Sequence, residues 1–183
     1  MPATDAPRDR SPPAAAGTTS IGYGSPLGRI RLDASGRGLS ALRFLGADDP
    51  DPEPGGSSPV LDAARRWLDD YFGGRRPAPP PLVGGVVPLD PGGTDFQRAV
   101  WAALTGVGFG RTLGYRDLAR AIGRPSAARA VGAANGRNPL PILVPCHRVV
   151  GRDGRMVGFS AGLERKTWLL EHEGALDPLF APR

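Results

Sequence analysis

The sequence predicts a mixed α/β (α+β) chain in two parts, a sheet-and-helix part followed by a helical part. Three observations carry that prediction. Between Thr18 and Phe44 short apolar alternations are broken by glycine, from Val60 to Phe72 apolar residues recur at helical spacing, and beyond Asp90-Pro91-Gly92-Gly93 the periodicity is helical. The turn at 90–93 is taken as the boundary between an N-terminal domain, 18–90, and a C-terminal domain, 91–176.

Residues 1–17 mix Pro2, Pro7, Pro12 and Pro13 with small and charged residues. Such a segment cannot bury enough apolar surface to fold and is expected to be a disordered tail, as is 177–183. Ile21-Gly22-Tyr23, Leu27 to Leu32 and Gly38 to Phe44 then read as a meander of strands. Ala47 to Ser58, rich in Asp and Pro, is a solvated loop. Val60, Leu61, Ala64, Trp67, Leu68, Tyr71 and Phe72 define an amphipathic helix that Gly73-Gly74 stops. Pro77 to Pro81 is a stiff connector, and Leu82 to Leu89 is expected to supply one more strand.

In the second part Thr94 or Asp95 caps a helix with Phe96, Val100, Trp101 and Leu104 on one face, ended by Gly106 and Gly108. Tyr115 to Ile122 forms the next helix behind Gly114. Gly123-Arg124-Pro125 breaks it, and Ser126 is expected to cap a following helix over 127–136. The pair has helix-turn-helix spacing. Its second helix is poor in base-reading side chains, only Arg129 and Asn135 being long or polar. Its alanines and glycines suit either close approach to a narrow groove or plain helix packing. Asn138 to Pro145, with three prolines among apolar residues, reads as a buried, extended lead, and the last helix runs from Leu163 to Glu173.

Charge is asymmetric. Residues 1–90 carry 10 basic against 11 acidic side chains, whereas 91–183 carry 13 against 7. From Arg98 to Arg155 ten arginines face only Asp117 and Asp153, which favours a polyanionic partner, nucleic acid before membrane. One cysteine and no long apolar run place the chain in the cytoplasm. With only Cys146, His147 and His172 as soft ligands, no metal is expected.

Cys146 is the only cysteine, and His147 follows it. A lone intracellular cysteine is more often a small buried hydrophobe than a nucleophile, so its neighbours must decide. An ordinary thiol is only a few per cent ionised at neutral pH and needs a base. His147 is that base, but adjacent side chains diverge, so a bridging water suits the pair better than direct contact. A carboxylate from the last helix, Glu164, Glu171 or Glu173, then orients the imidazole.

Pro145-Cys146-His147-Arg148-Val149 resembles the active-site signature of the O6-alkylguanine-DNA alkyltransferase family. Gly93 to Gln97, Phe109 to Thr112, Ala127 to Gly132, Asn135 to Pro139 and Lys166 to Gly174 resemble family segments in the same order. The resemblance implies an N-terminal ribonuclease H-like domain and a C-terminal winged helix-turn-helix-like alkyltransferase domain. It implies transfer of a methyl or larger alkyl group from O6 of guanine, and from O4 of thymine, to Cys146. That transfer is stoichiometric and irreversible, follows base flipping and uses no cofactor. Among the three glutamates it selects Glu173. It makes Tyr115 the residue that crowds the phosphate and donates toward guanine N3, and Arg129 the side chain that fills the vacated stack. Ala127, Ala128, Ala130, Gly132, Asn135 and Arg137 become DNA contacts. Asn138 braces the turn before the active site, and Val149, Phe159 and Ser160 line the guanine pocket. The implied partner is double-stranded DNA, bound by a monomer in the minor groove without sequence preference, with cooperativity left open and no membrane involved. Phe159 replaces a common family tyrosine and Gly114 a common serine. A lesion-binding protein without transfer activity is the alternative in a different class; a Cys-His hydrolase ranks behind both.

Overall fold

Residues 19–44 form an antiparallel meander in the computed structural model, which describes residues 17–52 and 56–176. Strands β1 (Thr19–Ser25), β2 (Gly28–Ala34) and β3 (Leu39–Phe44) lie in that order. β1 pairs with β2 from Thr19↔Ala34 to Ser25↔Gly28, and Gly28 takes φ 106 in the tight connection. Register shifts at Asp33/Ala34, between β2 and β3. Alternation puts Ile30, Leu32 and Ala34 on one face, where they are buried.

Helix α1 (Pro59–Phe72) covers that face. It begins there because Ser58 accepts from the Leu61 N–H and Pro59 occupies the first turn, where its missing donor costs nothing. Its buried stripe is Leu61, Ala64, Trp67, Leu68 and Tyr71. Gly73 ends it, with Gly74 at φ 77.

The strand expected over 82–89 does not form. Gly84, at φ 73, breaks the pleat, Pro88 lacks a donor, and Val83 and Val86 are 88% and 91% exposed. What remains is a single parallel bridge, Leu39↔Leu89, in which Leu39 N–H donates to Pro88 and Asp90 N–H to Leu39. Leu42 N–H donates to the Pro139 carbonyl at 2.8 Å, so the second part of the chain also bonds that sheet edge.

Helix α2 (Asp95–Thr105) is capped by Thr94, whose hydroxyl and the Gln97 side chain make a reciprocal capping box. A two-residue strand β4 (Leu113–Gly114) leads into α3 (Tyr115–Ala121), and α4 (Ala128–Gly136) packs on both α2 and α3. Trp101 Nε1 donates to the Ala134 carbonyl at 3.0 Å and ties α2 to α4. Ser126 is not the cap of α4: Ala127 holds the N-cap position, without a side-chain bond. Gly114 likewise gives α3 no side-chain cap.

Asn138 to Pro145 is coiled rather than extended. Val144 N–H donates to Leu140 O and Cys146 N–H to Val144 O, both at 2.8 Å, and Ile142 takes φ 74. Left-handed backbone at a β-branched residue costs roughly 1–3 kcal/mol, so the surrounding packing must impose it. Prolines exclude strand and helix here, but they permit turns. A 3₁₀ turn follows at Cys146–Arg148, then strand β5 (Val149–Val150), parallel to β4, and finally α5 (Leu163–His172). One apolar cluster runs from Ile30 on the meander to Leu169 on α5. The tails expected at 1–17 and 177–183 lie, Gly17 apart, outside the described residues.

Candidate active site and nucleic-acid interface

Every residue from Pro141 to Val149 is buried, so Cys146 sits in a packed segment at 2% exposure. The coil before it is held by Asn138, whose Nδ2 donates to Val144 O at 2.7 Å and whose Oδ1 accepts from Leu140 N at 3.0 Å. One side chain thereby fixes both ends of the turn that presents the thiol.

Burial pushes the Cys146 thiol up to about 11, against the pull of the Asn138 amide and the Lys166 ammonium. It therefore rests protonated and needs a base to react. Burial also lowers His147, which the Glu173 bond opposes and the nearby Arg148 and Lys166 charges reinforce. The imidazole is neutral at rest. Its Nε2 lies 2.8 Å from Glu173 Oε1.

Glu173 is an ionised acceptor. Burial raises its carboxyl, but bonds from His147 and Arg148 outweigh this and hold it at about 2. A carboxylate has no proton to give, so His147 Nε2 is the donor and Nδ1 carries the lone pair. Nδ1 is buried and bonds no protein group among the described residues. It is the nitrogen free to take a proton. Of the three candidate glutamates only Glu173 reaches the ring; Glu164 and Glu171 are exposed on α5.

Three participants escape sequence reading. Arg148, fully buried, grips Glu173 through Nε and Nη2 at 2.8 and 2.9 Å and holds the loop after α2 through the Val107 carbonyl. Tyr71 on α1 donates to Glu173 Oε1 at 2.7 Å. Lys166 Nζ donates to Val149 O and Val157 O, both at 2.6 Å, drawing the segment after α4 and the loop before α5 together. Burial brings its ammonium down to about 8. A signal existed for two of them: Arg148 is a lone charge in an apolar run, and Lys166 is the only lysine.

Tyr115 opens α3 beside this centre. Its ring packs near Gly132 of α4, and its hydroxyl is 3.5 Å from the Val157 carbonyl. Burial and the charge of a Cys146 thiolate both raise its pKa, so it stays a proton donor. A groove of about 800 Å³ runs outward from it, lined by Arg116, Arg120, Ala128, Arg129, Gly132 and Arg152 among others. Arg129, Ala130 and Arg137 are exposed, and Ala127, Ala128 and Gly132 half-buried. Asn135 departs from its expected place on the DNA side. It is buried at 3%, with Nδ2 toward the Cys146 carbonyl at 3.4 Å, because its position on α4 faces the core. Phe159 sets its ring edge-on to His147 at 6.4 Å between centroids, Ser160 is exposed, and buried Val149 pairs with Leu113. Past β5 the chain turns back tightly, Gly151 N–H donating to Arg155 O, with Asp153 and Gly154 both at positive φ. That turn leaves Arg152 and Arg155 exposed. No described helix is long and apolar enough to cross a membrane, and no described cluster of His, Cys, Asp and Glu could hold a metal ion.

A family model for the DNA-binding domain of 6-O-methylguanine DNA methyltransferase matches residues 95–175. The methylated-DNA–protein-cysteine methyltransferase of Mycobacterium tuberculosis is 42% identical over 160 residues, covering 84% of this chain and 91% of that protein. The chain belongs to the methylated-DNA–protein-cysteine methyltransferase family. Another methylated-DNA–protein-cysteine methyltransferase, that of Salmonella typhimurium, is 51% identical over 109 residues, and the match spans 60% of this chain and 61% of that relative's length. The fold agrees with this membership: Mycobacterium tuberculosis OGT solved in complex with DNA superposes with a TM-score of 0.71 at 41% identity, over 85% of this chain and 92% of that one.

Proposed function

We propose that this protein repairs DNA by moving an alkyl group from O6 of guanine, or O4 of thymine, onto Cys146. A single observation carries the reading. The only thiol of the chain adjoins a buried, neutral imidazole whose Nε2 is anchored on an ionised carboxylate, leaving Nδ1 as base. Transfer forms the Sγ–C bond as the C–O6 bond breaks, and that electron pair stays on guanine. The thiol proton passes to His147 Nδ1, through a water where the side chains diverge. Tyr115 donates toward guanine N3 and is reprotonated, through solvent, by the proton that His147 took up, so the net proton movement is from the thiol to guanine. A thioether has no route back to thiolate here, and each molecule acts once.

The alkylated base must leave the duplex to reach a thiol this deep. The small faces of Ala127, Ala128, Ala130 and Gly132 would lie in the minor groove, where weak base reading suits repair at any sequence. Arg129 would enter the stack that the base vacates, and Arg137 would meet phosphate. Val149, Phe159 and Ser160 would border the base, with Asn138 bracing the turn behind it. The protein would act as a monomer in the bacterial cytoplasm, with double-stranded DNA as its partner.

Incubation with duplex DNA carrying labelled O6-methylguanine tests this. Label is expected on the peptide containing Cys146, and Cys146→Ala is expected to retain DNA binding with no transfer. Label remaining entirely on the DNA would instead identify a lesion-binding protein.

A further inference from the structure

Tyr71 lies 102 residues before Glu173 and reaches the centre from the N-terminal part of the fold. Its side chain is fully buried among aromatic rings, stacked on Trp67 at 5.5 Å and edge-on to Phe109 at 5.8 Å. Packing alone would be served by phenylalanine. The hydroxyl instead donates at 2.7 Å to Glu173 Oε1, the same oxygen that His147 Nε2 meets at 2.8 Å and Arg148 Nη2 at 2.9 Å.

Donors on one carboxylate oxygen compete for its charge. Each added donor makes that oxygen a weaker partner for the others, and a weaker partner stabilises an imidazolium less. Resting on the alkyl-transfer reading above, we propose that Tyr71 is a positioning residue of the reaction: its hydroxyl draws on Glu173 Oε1 so that His147 stays neutral, with Nδ1 ready to accept the thiol proton. Through α1, the N-terminal part of the fold thus sets the basicity of a histidine in the C-terminal part.

The other groups facing this centre are accounted for. Arg148 and the Gly110 N–H hold Oε2, and Lys166 is engaged with backbone carbonyls beyond Cys146. His172, next in sequence, turns away and bonds the Tyr71 carbonyl at 2.8 Å. Arg76 and Arg148 lie over the Phe109 ring. The Tyr71 hydroxyl is itself pushed well above the ordinary tyrosine range, by burial first and by Glu173, so it remains a donor across the working range.

The test is Tyr71→Phe in the full chain, which keeps the ring and deletes the donor. Two readouts separate positioning from packing: the ring NMR signals of the chain's two histidines, and the pH profile of single-turnover methyl transfer. The His147 Nε2–H proton is expected to move downfield, by more than any shift of His172, whose ring lies 5.3 Å from that of residue 71 and stays packed on it in the variant. The acid limb of the profile is expected to move up by roughly half a pH unit, about a 3-fold rate loss on that limb, with a smaller change on the plateau. His147 signals and a pH profile that superpose on wild type would overturn the proposal. So would a uniform rate loss at all pH values with a lowered Tm, since that is what a packing role predicts. Wild-type protein that takes up no methyl would sink the alkyl-transfer reading itself, and the His147 signals would still report whether Tyr71 tunes the ring.

Discussion

Replacing Glu173 with glutamine changes little in shape and removes one charge. The carboxylate receives bonds from Tyr71, His147 and Arg148 Nη2 at Oε1, and from Arg148 Nε and Gly110 N at Oε2. A glutamine amide accepts at one end only; its NH2 must then face donors, and Arg148, fully buried, loses its counter-charge. Breaking a buried pair from one side costs about 3–5 kcal/mol. Proton linkage supplies a second figure. Despite the upward push of burial, bonds from His147 and Arg148 bring the carboxyl from 4.5 to about 2, equivalent to roughly 3 kcal/mol. The folded-state value is the lower one, so this stability is fully present above about pH 4.5 and is lost as pH falls toward 2. Urea unfolding followed by tryptophan fluorescence, on wild type and Glu173→Gln at pH 7 and in steps to pH 3, measures it. The expected difference is about 3 kcal/mol at pH 7, shrinking to less than half of that by pH 3. A difference under about 1 kcal/mol, the scale of an exposed pair, or one that is flat with pH, would refute the assignment of Glu173 as the charged hub.

Arg129→Ala should slow methyl transfer from duplex DNA far more than reaction with free O6-methylguanine, and equal losses on both substrates would argue against an intruding side chain. Gly110 takes φ 72, and a Cβ there would meet the Glu173 carbonyl at 2.9 Å, whereas Gly123, at φ 68, has open space. Gly110→Ala should therefore lower Tm clearly more than Gly123→Ala, which pays only the left-handed cost of about 1–2 kcal/mol; matching shifts would place the hub away from Gly110. Replacing both Arg152 and Arg155 with alanine should flatten the dependence of log affinity on log salt by about 2 if each meets a phosphate. An unchanged slope in a filter-binding or anisotropy titration would remove that turn from the interface.

The meander and helices α1 to α5 were legible because their signals are local. Alternation from Ile30 to Ala34, the stripe from Leu61 to Tyr71 and the Thr94–Gln97 capping box each lie within a few residues. Sequence and structure part where one local rule competes with another. Val86-Val87 suggested a strand, but Gly84-Gly85 and Pro88 on either side denied it pleat and donor; Ser126 is a good capping residue, yet the helix starts one residue too late to use it. Prolines mark 138–145 as neither strand nor helix, but rigidity does not entail extension, and the segment coils on its own backbone bonds. At the site, Cys146, His147 and Glu173 carried a family pattern, whereas Tyr71 carried none, because its meaning depends on a partner 102 residues away. Asn135 misled for a related reason: a polar residue on a groove-facing helix suggests an outward contact, and helical phase turns it inward to the Cys146 carbonyl.

The depth of Cys146 also bears on how long the protein can wait. A thiol held at about 11 by its surroundings presents almost no thiolate at neutral pH, and at 2% exposure it offers little to peroxides, disulfides or stray electrophiles. Under the single-use transfer proposed above, the shelf life of the protein is set by its side reactions. With no second cysteine to resolve an oxidised one, this inertness at rest is the protection the fold gives to its one thiol.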